Sequence, residues 1–149
     1  MNIQAIKTRI FLENEDLEEF IIEHIPTVQE GSIIVVTSKI VALAEGRTCD
    51  DDSEESKDDL IKEESDWMMR TKYVWLTLKD GMLVASAGID RSNANGKLIL
   101  LPRDSFATAA LLLGKLRSKF MYKNLGILIV DSRMLPLRAG ALAYAIGYA

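Results

Sequence analysis

Apolar and polar residues along the chain follow two periods, one typical of helices and one typical of strands. Apolar residues at helical spacing after Asp16 predict a first helix, and the run from Asp104 to Phe120 predicts a longer one with Asp104 as its N-cap. Two β-rich runs on either side of Asp80 and Gly81 predict a hairpin, because these residues favour tight turns. Further strands are predicted in five stretches: residues 1–10, Ser32–Thr37, GKLILLP, LGILIVDS and AGALAYAIGYA.

The segment between the Ser32–Thr37 strand and the hairpin has a less regular pattern. SKIVALAEG predicts a short helix that Ser38 caps and Gly46 ends. Residues 49–59 predict a solvated acidic loop, and DDLIKEESDWMM, which comes next, has near-helical spacing. About six or seven strands and three or four helices indicate an α+β (mixed α/β) fold with a mixed or mostly antiparallel sheet. The length of 149 residues predicts one domain over residues 1–149.

Charge is distributed unevenly along the chain. The net charge is −4 at pH 7, but residues 50–66 hold ten acidic and two basic side chains. The remainder carries 16 basic and 12 acidic residues, a mild positive charge that suits an anionic ligand and falls far short of a nucleic-acid-binding surface. No apolar run approaches the ~20 residues of a membrane span, and no signal-peptide pattern is present at the N-terminus. Because Cys49 is the single cysteine, no intrachain disulfide forms, which favours a cytoplasmic location.

Two aspartates come directly after apolar runs and are therefore expected at strand ends, where α/β sheets bind their ligands. Asp90 comes after the hairpin and Asp131 after LGILIV. The nearby polar residues Ser92, Asn93 and Ser132 complete an all-oxygen set, which is the type that Mg²⁺ or Mn²⁺ prefers. The alternative is that the first group forms an Asx-type turn and that Asp131 caps a loop.

Basic residues near these aspartates suggest a polyphosphate ligand. Ser38 is predicted at a helix N-terminus, where backbone N–H groups attract anions, and Lys39 adjoins it. Arg133 and Arg138 come after Asp131, as expected if a phosphate bridges a metal and these cations. The alternative is a capped helix with a solvent-exposed lysine and a loop that the arginines keep soluble. With one histidine and one cysteine, the chain cannot form a Cys/His zinc cluster of its own.

Three segments together resemble one known family. They are VVTSKIVALAEGR, SAGIDRSNANGKLILLP and LIVDSRMLPLRAGALAYAIG, in this order and at about this spacing. From about Ile6 to its C-terminal residue, the chain is similar to the N-terminal part of the γ-glutamyl ligases that act on the deazaflavin coenzyme F-420. The resemblance implies an enzyme that uses GTP as co-substrate and Mg²⁺ or Mn²⁺ to join L-glutamate to a carboxylate of that coenzyme or of a similar acidic small molecule.

The resemblance also implies roles for individual residues. The residues that resemble the family's metal ligands are Asp90, Asp131 and Ser132. Those that resemble nucleotide contacts are Ser38, Lys39 and Asn93, and Arg138 joins them as a predicted phosphate contact.

Some motif positions depart from the family pattern. Met134 and Leu135 stand where the family has Gly-Arg, and Leu43 stands where it has a nucleotide-binding lysine. These departures motivate an alternative function, a non-catalytic module that binds phosphate or metal and self-associates. In that case the apolar segment after Gly140 is expected to mediate a homodimer.

Overall fold

The computed structural model describes residues 2–50, 54–91, 96–134 and 137–149. Its helices are α1 (Leu17–His24), α2 (Ser38–Ala44), α3 (Glu54–Glu63) and α4 (Ser105–Phe120), with a short 3₁₀ turn at Ser86–Gly88. Its strands are β1 (Ile33–Thr37), β2 (Thr48–Asp50), β3 (Trp67–Arg70), β4 (Trp75–Lys79), β5 (Met82–Ala85), β6 (Lys97–Ile99), β7 (Gly126–Met134) and β8 (Ala141–Tyr148). Helices together with parallel and antiparallel strand pairs confirm the predicted α+β class. The chain divides into two compact units, Met1–Gly46 with Pro102–Ala149 and Arg47–Leu101.

The first unit is built around a sheet in the order β1-β7-β8. The central strand β7 is parallel to β1 and antiparallel to β8. Side chains on one face are buried, among them those of Ile127 and Ile129, and α2 and α4 pack against the sheet. On β1 this burial alternates strictly, so that Ile33 and Val35 lie exposed on the other face.

Helix starts in the first unit confirm one of the two predicted N-caps, that of Asp104, and show a further one at Asp16. The carboxylate of Asp16 accepts a hydrogen bond from the N–H of Glu19, and that of Asp104 accepts one from Ala107. The prediction that Ser38 caps α2 is wrong, because Thr37 is the N-cap and its hydroxyl accepts from the N–H of Lys39. The Ser38 hydroxyl is thereby left for another partner.

The second unit contains the predicted hairpin, which is confirmed. Strands β4 and β5 pair antiparallel around Asp80 and Gly81, whose φ angles of 50° and 73° are those of a type I′ turn. Strand β3 pairs with β4, and β2 with β6. Residues 67–69 were expected to continue a helical pattern, and this expectation is wrong. The segment lies in a strand because the backbone of β3 pairs with Trp75–Leu78, which outweighs the helical spacing of its apolar residues.

A partly buried ion cluster lies in the second unit. The Glu64 carboxylate accepts from Arg47 at 2.7 Å, and the Lys79 ammonium contacts the same oxygen. Burial alone would raise the pKa of the Glu64 carboxyl, but its hydrogen bonds with the two cations outweigh burial and hold that pKa below its usual range. Glu64 is therefore ionised at neutral pH. It comes directly after the last residue of α3, so its contact with Lys79 links the end of α3 to β4.

Two other expectations need correction. Residues 2–12 form no helix or strand, although residues 1–10 were predicted as a strand. The segment is held instead by side chains, since Phe11 packs on Phe20 with ring centroids 4.8 Å apart and Arg9 pairs with Glu15 and Glu23. Helix α3 begins at Glu54, inside the stretch 49–59 that was predicted as an acidic loop, because Glu and Lys are good helix formers and Ile61 gives the helix a buried residue.

Within the described ranges, the structure contains no helix with the length and apolar character needed to cross a membrane.

Candidate functional site

Two predicted site residues, Ser38 and Asp131, meet where the parallel pairing of β1 with β7 ends, at the carboxyl end of β1. Thr37 is the Cα partner of Val130, so the next residue of each strand lies beside the other. The Ser38 hydroxyl donates a hydrogen bond of 2.6 Å to Oδ1 of Asp131, and Ser38 is only 5% exposed. Crevices outside the carboxyl ends of parallel strands are the common ligand sites of α/β sheets.

The hydrogen bond from Ser38 orients the Asp131 carboxylate. Asp131 comes after Ile127 and Ile129 at a spacing of two residues along β7. Its side chain therefore lies on the same face of the sheet as these two buried side chains. Among the residues that the structure describes, Ser38 is the one hydrogen-bond donor to this carboxylate. The second oxygen, Oδ2, therefore has no described protein partner. A half-buried carboxylate with one oriented oxygen and one available oxygen is suited to bind a hard cation.

Arg133 and Tyr144 extend this cluster, and sequence reasoning missed their arrangement. Tyr144 on β8 is the Cα partner of Asp131. The guanidinium carbon of Arg133 lies 3.9 Å from the centroid of the Tyr144 ring, and Nη2 of Arg133 donates to the phenol oxygen. The sequence predicted a loop at Arg133. The signal that would have corrected this is the strand period, because Arg133 lies two residues after Asp131.

The environment of Tyr144 keeps its phenol protonated. Burial raises the pKa of Tyr144, the negative charge of Asp131 raises it further, and the Arg133 guanidinium offsets part of the rise. At neutral pH the hydroxyl therefore retains its proton and remains a hydrogen-bond donor as well as an acceptor.

The structure does not bring every predicted residue of this unit to the same place. Ser132 lies between Asp131 and Arg133, opposite Ala143 on β8, so strand alternation turns it to the exposed face of the sheet. Lys39 is half-buried in the first turn of α2, which is only seven residues long. Arg138 is exposed, beyond the end of β7. Two predicted residues, Ser92 and Asn93, lie outside the described residues.

Asp90 lies in the second unit, directly after an unusual turn. Ser86, Ala87 and Gly88 have φ angles of 49°, 55° and 74°, which are left-handed conformations that non-glycine residues seldom adopt. The fully buried Thr77 stabilises this turn, since its hydroxyl accepts from the N–H of Ala87 and donates to the carbonyl of Val84. Backbone strain of this kind is typical of functional sites and persists where the surroundings over-determine it.

The backbone of Asp90 is fixed by an antiparallel bridge to Ile99, the last residue of β6. The N–H of Asp90 donates to the carbonyl of Ile99 at 2.9 Å, and its carbonyl accepts from the N–H of Ile99 at 2.8 Å. The predicted Asx-type turn involves Ser92 and Asn93, which lie outside the described residues, so that turn stays a prediction. That Asp90 and Asp131 bind one cation stays a prediction.

A metal site built from several His, Cys, Asp or Glu side chains has no support within the described part of the chain. No three His, Cys, Asp or Glu side chains come together there in a way that could hold a metal ion. His24 contacts the carbonyl of Phe20 through Nδ1 and the N–H of Arg9 through Nε2, and its ring packs on Phe20. These contacts give His24 a structural role between α1 and the N-terminal segment.

Comparison with known proteins gives a consistent result. The family described as F420-0:Gamma-glutamyl ligase matches residues 5–149. The chain is 30% identical over 152 residues to a protein from Methanopyrus kandleri named coenzyme F420:L-glutamate ligase, covering 89% of this chain and 60% of that protein. Proteins of the same name from Archaeoglobus fulgidus and Methanosarcina mazei are each 28% identical, over 91% and 99% of this chain and 61% and 65% of their own lengths. The chain thus spans somewhat over half the length of the curated relatives it matches.

Proposed function

The chain belongs to the F420-0:Gamma-glutamyl ligase family, and we propose that it acts as an amide ligase that joins L-glutamate to a carboxylate of the deazaflavin coenzyme or of a similar acidic small molecule. In this proposal GTP is the co-substrate and Mg²⁺ or Mn²⁺ is the metal. The observation that carries it is the Ser38–Asp131 hydrogen bond at the end of the parallel pairing of β1 with β7. We place the activity in the cytoplasm, as the single cysteine predicts.

The residues present fit a divalent cation. The Asp131 carboxylate offers a hard oxygen ligand, and the bond from Ser38 fixes its orientation, as hydrogen-bonded neighbours commonly do for metal-binding carboxylates. Carboxylate oxygens are the donors that Mg²⁺ and Mn²⁺ prefer. When bound, the cation supplies charge neutralisation for a transferring phosphoryl group.

The chemistry is dictated by the weak electrophilicity of a carboxylate. Transfer of the γ-phosphoryl group of GTP to the acceptor carboxylate forms an acyl phosphate and releases GDP. The amine of L-glutamate then attacks the acyl carbon, the amide bond forms, a proton leaves the nitrogen, and phosphate departs. The chain's own contribution is to bind and orient the negatively charged groups, for which Lys39 and Arg138 are the proposed cations.

Binding and turnover test this function directly. We expect the protein to be stabilised by GTP and Mn²⁺ together: ligand at about a hundred times its Kd adds about 2.7 kcal/mol, which raises Tm by roughly 5–10 °C in a chain of this size. Coenzyme F420 and L-glutamate are then added, and mass spectrometry monitors formation of the glutamyl amide, with GDP release measured in parallel. Samples with EDTA in place of Mn²⁺ serve as controls. Absence of both a thermal shift and calorimetric heat with GTP and Mn²⁺ contradicts the proposal.

Self-association through the exposed sheet face is a second candidate function, with or without catalysis. Ile33 and Val35 on β1 are 61% and 57% exposed, and Tyr148 on β8 is 62% exposed, so apolar and aromatic side chains lie open at both edges of one sheet.

We expect a dimer by light scattering at micromolar concentration, and a shift towards monomer in the Val35→Lys variant. The matched control is Met121→Lys, which adds the same charge at an exposed site on the C-cap of α4. A wild-type monomer at that concentration would rule this interface out.

A further inference from the structure

We infer that Arg133 and Tyr144 form a binding site for an oxyanion, either a phosphate or a carboxylate, beside Asp131. The inference deepens the proposed function and rests on it, because an anion beside Asp131 requires a cation to neutralise that carboxylate. It concerns two residues that neither the sequence patterns nor the likeness to other proteins assigns as a pair.

The register of β7 and β8 places the three side chains on one face of the sheet. Asp131 and Tyr144 are directly opposite, and Arg133 lies two residues beyond Asp131. Opposed residues in an antiparallel pair share a face, as do residues two apart on one strand. The contact between Arg133 and Tyr144 is the diagonal neighbour contact that this register allows. The pair therefore lies beside the Asp131 carboxylate that accepts from Ser38.

The Arg133–Tyr144 pair has more hydrogen-bond donors than acceptors. A guanidinium has five N–H donors, and within the described residues Arg133 directs one of them to the phenol of Tyr144. Since the phenol oxygen accepts that bond, its own hydrogen is directed elsewhere. Among the described residues no carboxylate or carbonyl receives either the remaining N–H groups or this O–H. Half-buried donors of this kind match the oxygens of a phosphate or carboxylate.

Stacking makes the site rigid. The guanidinium carbon lies over the Tyr144 ring, 3.9 Å from its centroid, so contact with the aromatic face limits the movement of the guanidinium. Less conformational entropy is then lost on binding than for a free arginine side chain. The expected ligand is an anion complexed with metal, because bare anions are repelled by the adjacent Asp131 carboxylate.

Conservative variants test the pair with named probes. Arg133→Lys keeps the charge and loses the planar fork, and Tyr144→Phe keeps the ring and loses the hydroxyl. We expect each to weaken binding of GTP or inorganic phosphate in the presence of Mn²⁺ by about tenfold to a hundredfold. Mn²⁺ binding without the anion should stay within about twofold. The matched controls are Arg103→Lys, at an exposed position before α4, and Tyr148→Phe, on the opposite face of the sheet, where the ring packs on Phe106.

The separate ligands distinguish the source of the oxyanion. Weaker GTP binding with an unchanged KM for L-glutamate assigns the pair to phosphate, and a raised KM for L-glutamate with unchanged GTP binding assigns it to a carboxylate. Either result supports the inference. Wild-type affinity of both variants for GTP, phosphate and L-glutamate, with Mn²⁺ binding intact, overturns it.

A failure of the ligase proposal can be told apart from a failure of this inference. If wild-type protein binds no GTP, the ligase proposal fails by itself. Titration of wild type and both variants with phosphate and Mn²⁺, monitored by NMR, then decides the inference. Loss of phosphate binding in the variants supports it, and equal or absent binding overturns it.

Discussion

Replacement of Asp131 by asparagine is expected to lower Mn²⁺ affinity by more than about a hundredfold and to abolish metal-dependent GTP binding. Asparagine keeps the size of the side chain and an oxygen that accepts from Ser38, but it removes the negative charge. Hard divalent cations depend on that charge. Loss of a neighbour that merely orients a ligand costs about 10–100-fold in known sites, so loss of the ligand's own charge should cost more. Calorimetric titration with Mn²⁺, and then with GTP, measures both effects.

A matched substitution elsewhere separates this effect from changes in folding. Asp16→Asn is the same chemical change at the N-cap of α1, where asparagine caps about as well as aspartate. The Asp16 variant should keep both its Tm and its Mn²⁺ affinity. If Asp131→Asn melts like wild type and still binds Mn²⁺ with wild-type affinity, Asp131 is not a metal ligand.

The buried strand before Asp131 could be predicted from sequence because the signal is local. The apolar run LGILIV predicts a buried strand, and β7 confirms it, but Asp131 and Ser132 lie within β7, which extends to Met134, and not at its end. The two N-caps at Asp16 and Asp104 and the Asp80-Gly81 hairpin are equally local patterns. In each case one short stretch contains the whole pattern.

The contacts of Asp131 could not be predicted, because they depend on register between distant segments. Ser38 and Asp131 are 93 residues apart, and their contact results from the pairing of Thr37 with Val130. A shift of one residue in that pairing would turn every side chain of the strand to the other face, and nothing in either segment alone fixes the register. The contact of Tyr144 with the site could not be predicted either. The sequence shows only that Tyr144 belongs to an apolar strand, and its pairing with Asp131 depends on the register.

The wrong predictions also have physical causes. The helical spacing of Trp67 was overruled by strand pairing, which no local pattern reports. Thr37 and Ser38 are adjacent hydroxyl residues, and both favour N-caps, so the sequence alone did not decide between them. The choice matters for function. With Thr37 as the cap, the Ser38 hydroxyl is available to orient Asp131.

Gly147→Ala is expected to destabilise the fold by about 3 kcal/mol or more, because the backbone of α4 leaves no room for a side chain. Gly147 is buried on β8 opposite Ile129. A Cβ at this position would lie 2.6 Å from the Cβ of Ser105 and closer still to its carbonyl. Since Ser105 is the first residue of α4, the clash is with backbone that cannot rotate away. Thermal unfolding monitored by circular dichroism should show Tm lower by roughly 10 °C.

Gly114→Ala is the control, because it should stabilise the fold, whereas Gly147→Ala should destabilise it. Gly114 is exposed in the middle of α4, and a Cβ there meets nothing within 4 Å. Alanine is favoured over glycine in a helix interior by about 0.5–1 kcal/mol, so Tm should rise by a few degrees. Equal melting temperatures for the two variants would contradict the close approach of α4 to β8. That approach also matters for the site, because α4 packs on the face of the sheet that carries the Asp131 side chain. A helix pushed outward at Ser105 should therefore also weaken Mn²⁺ binding.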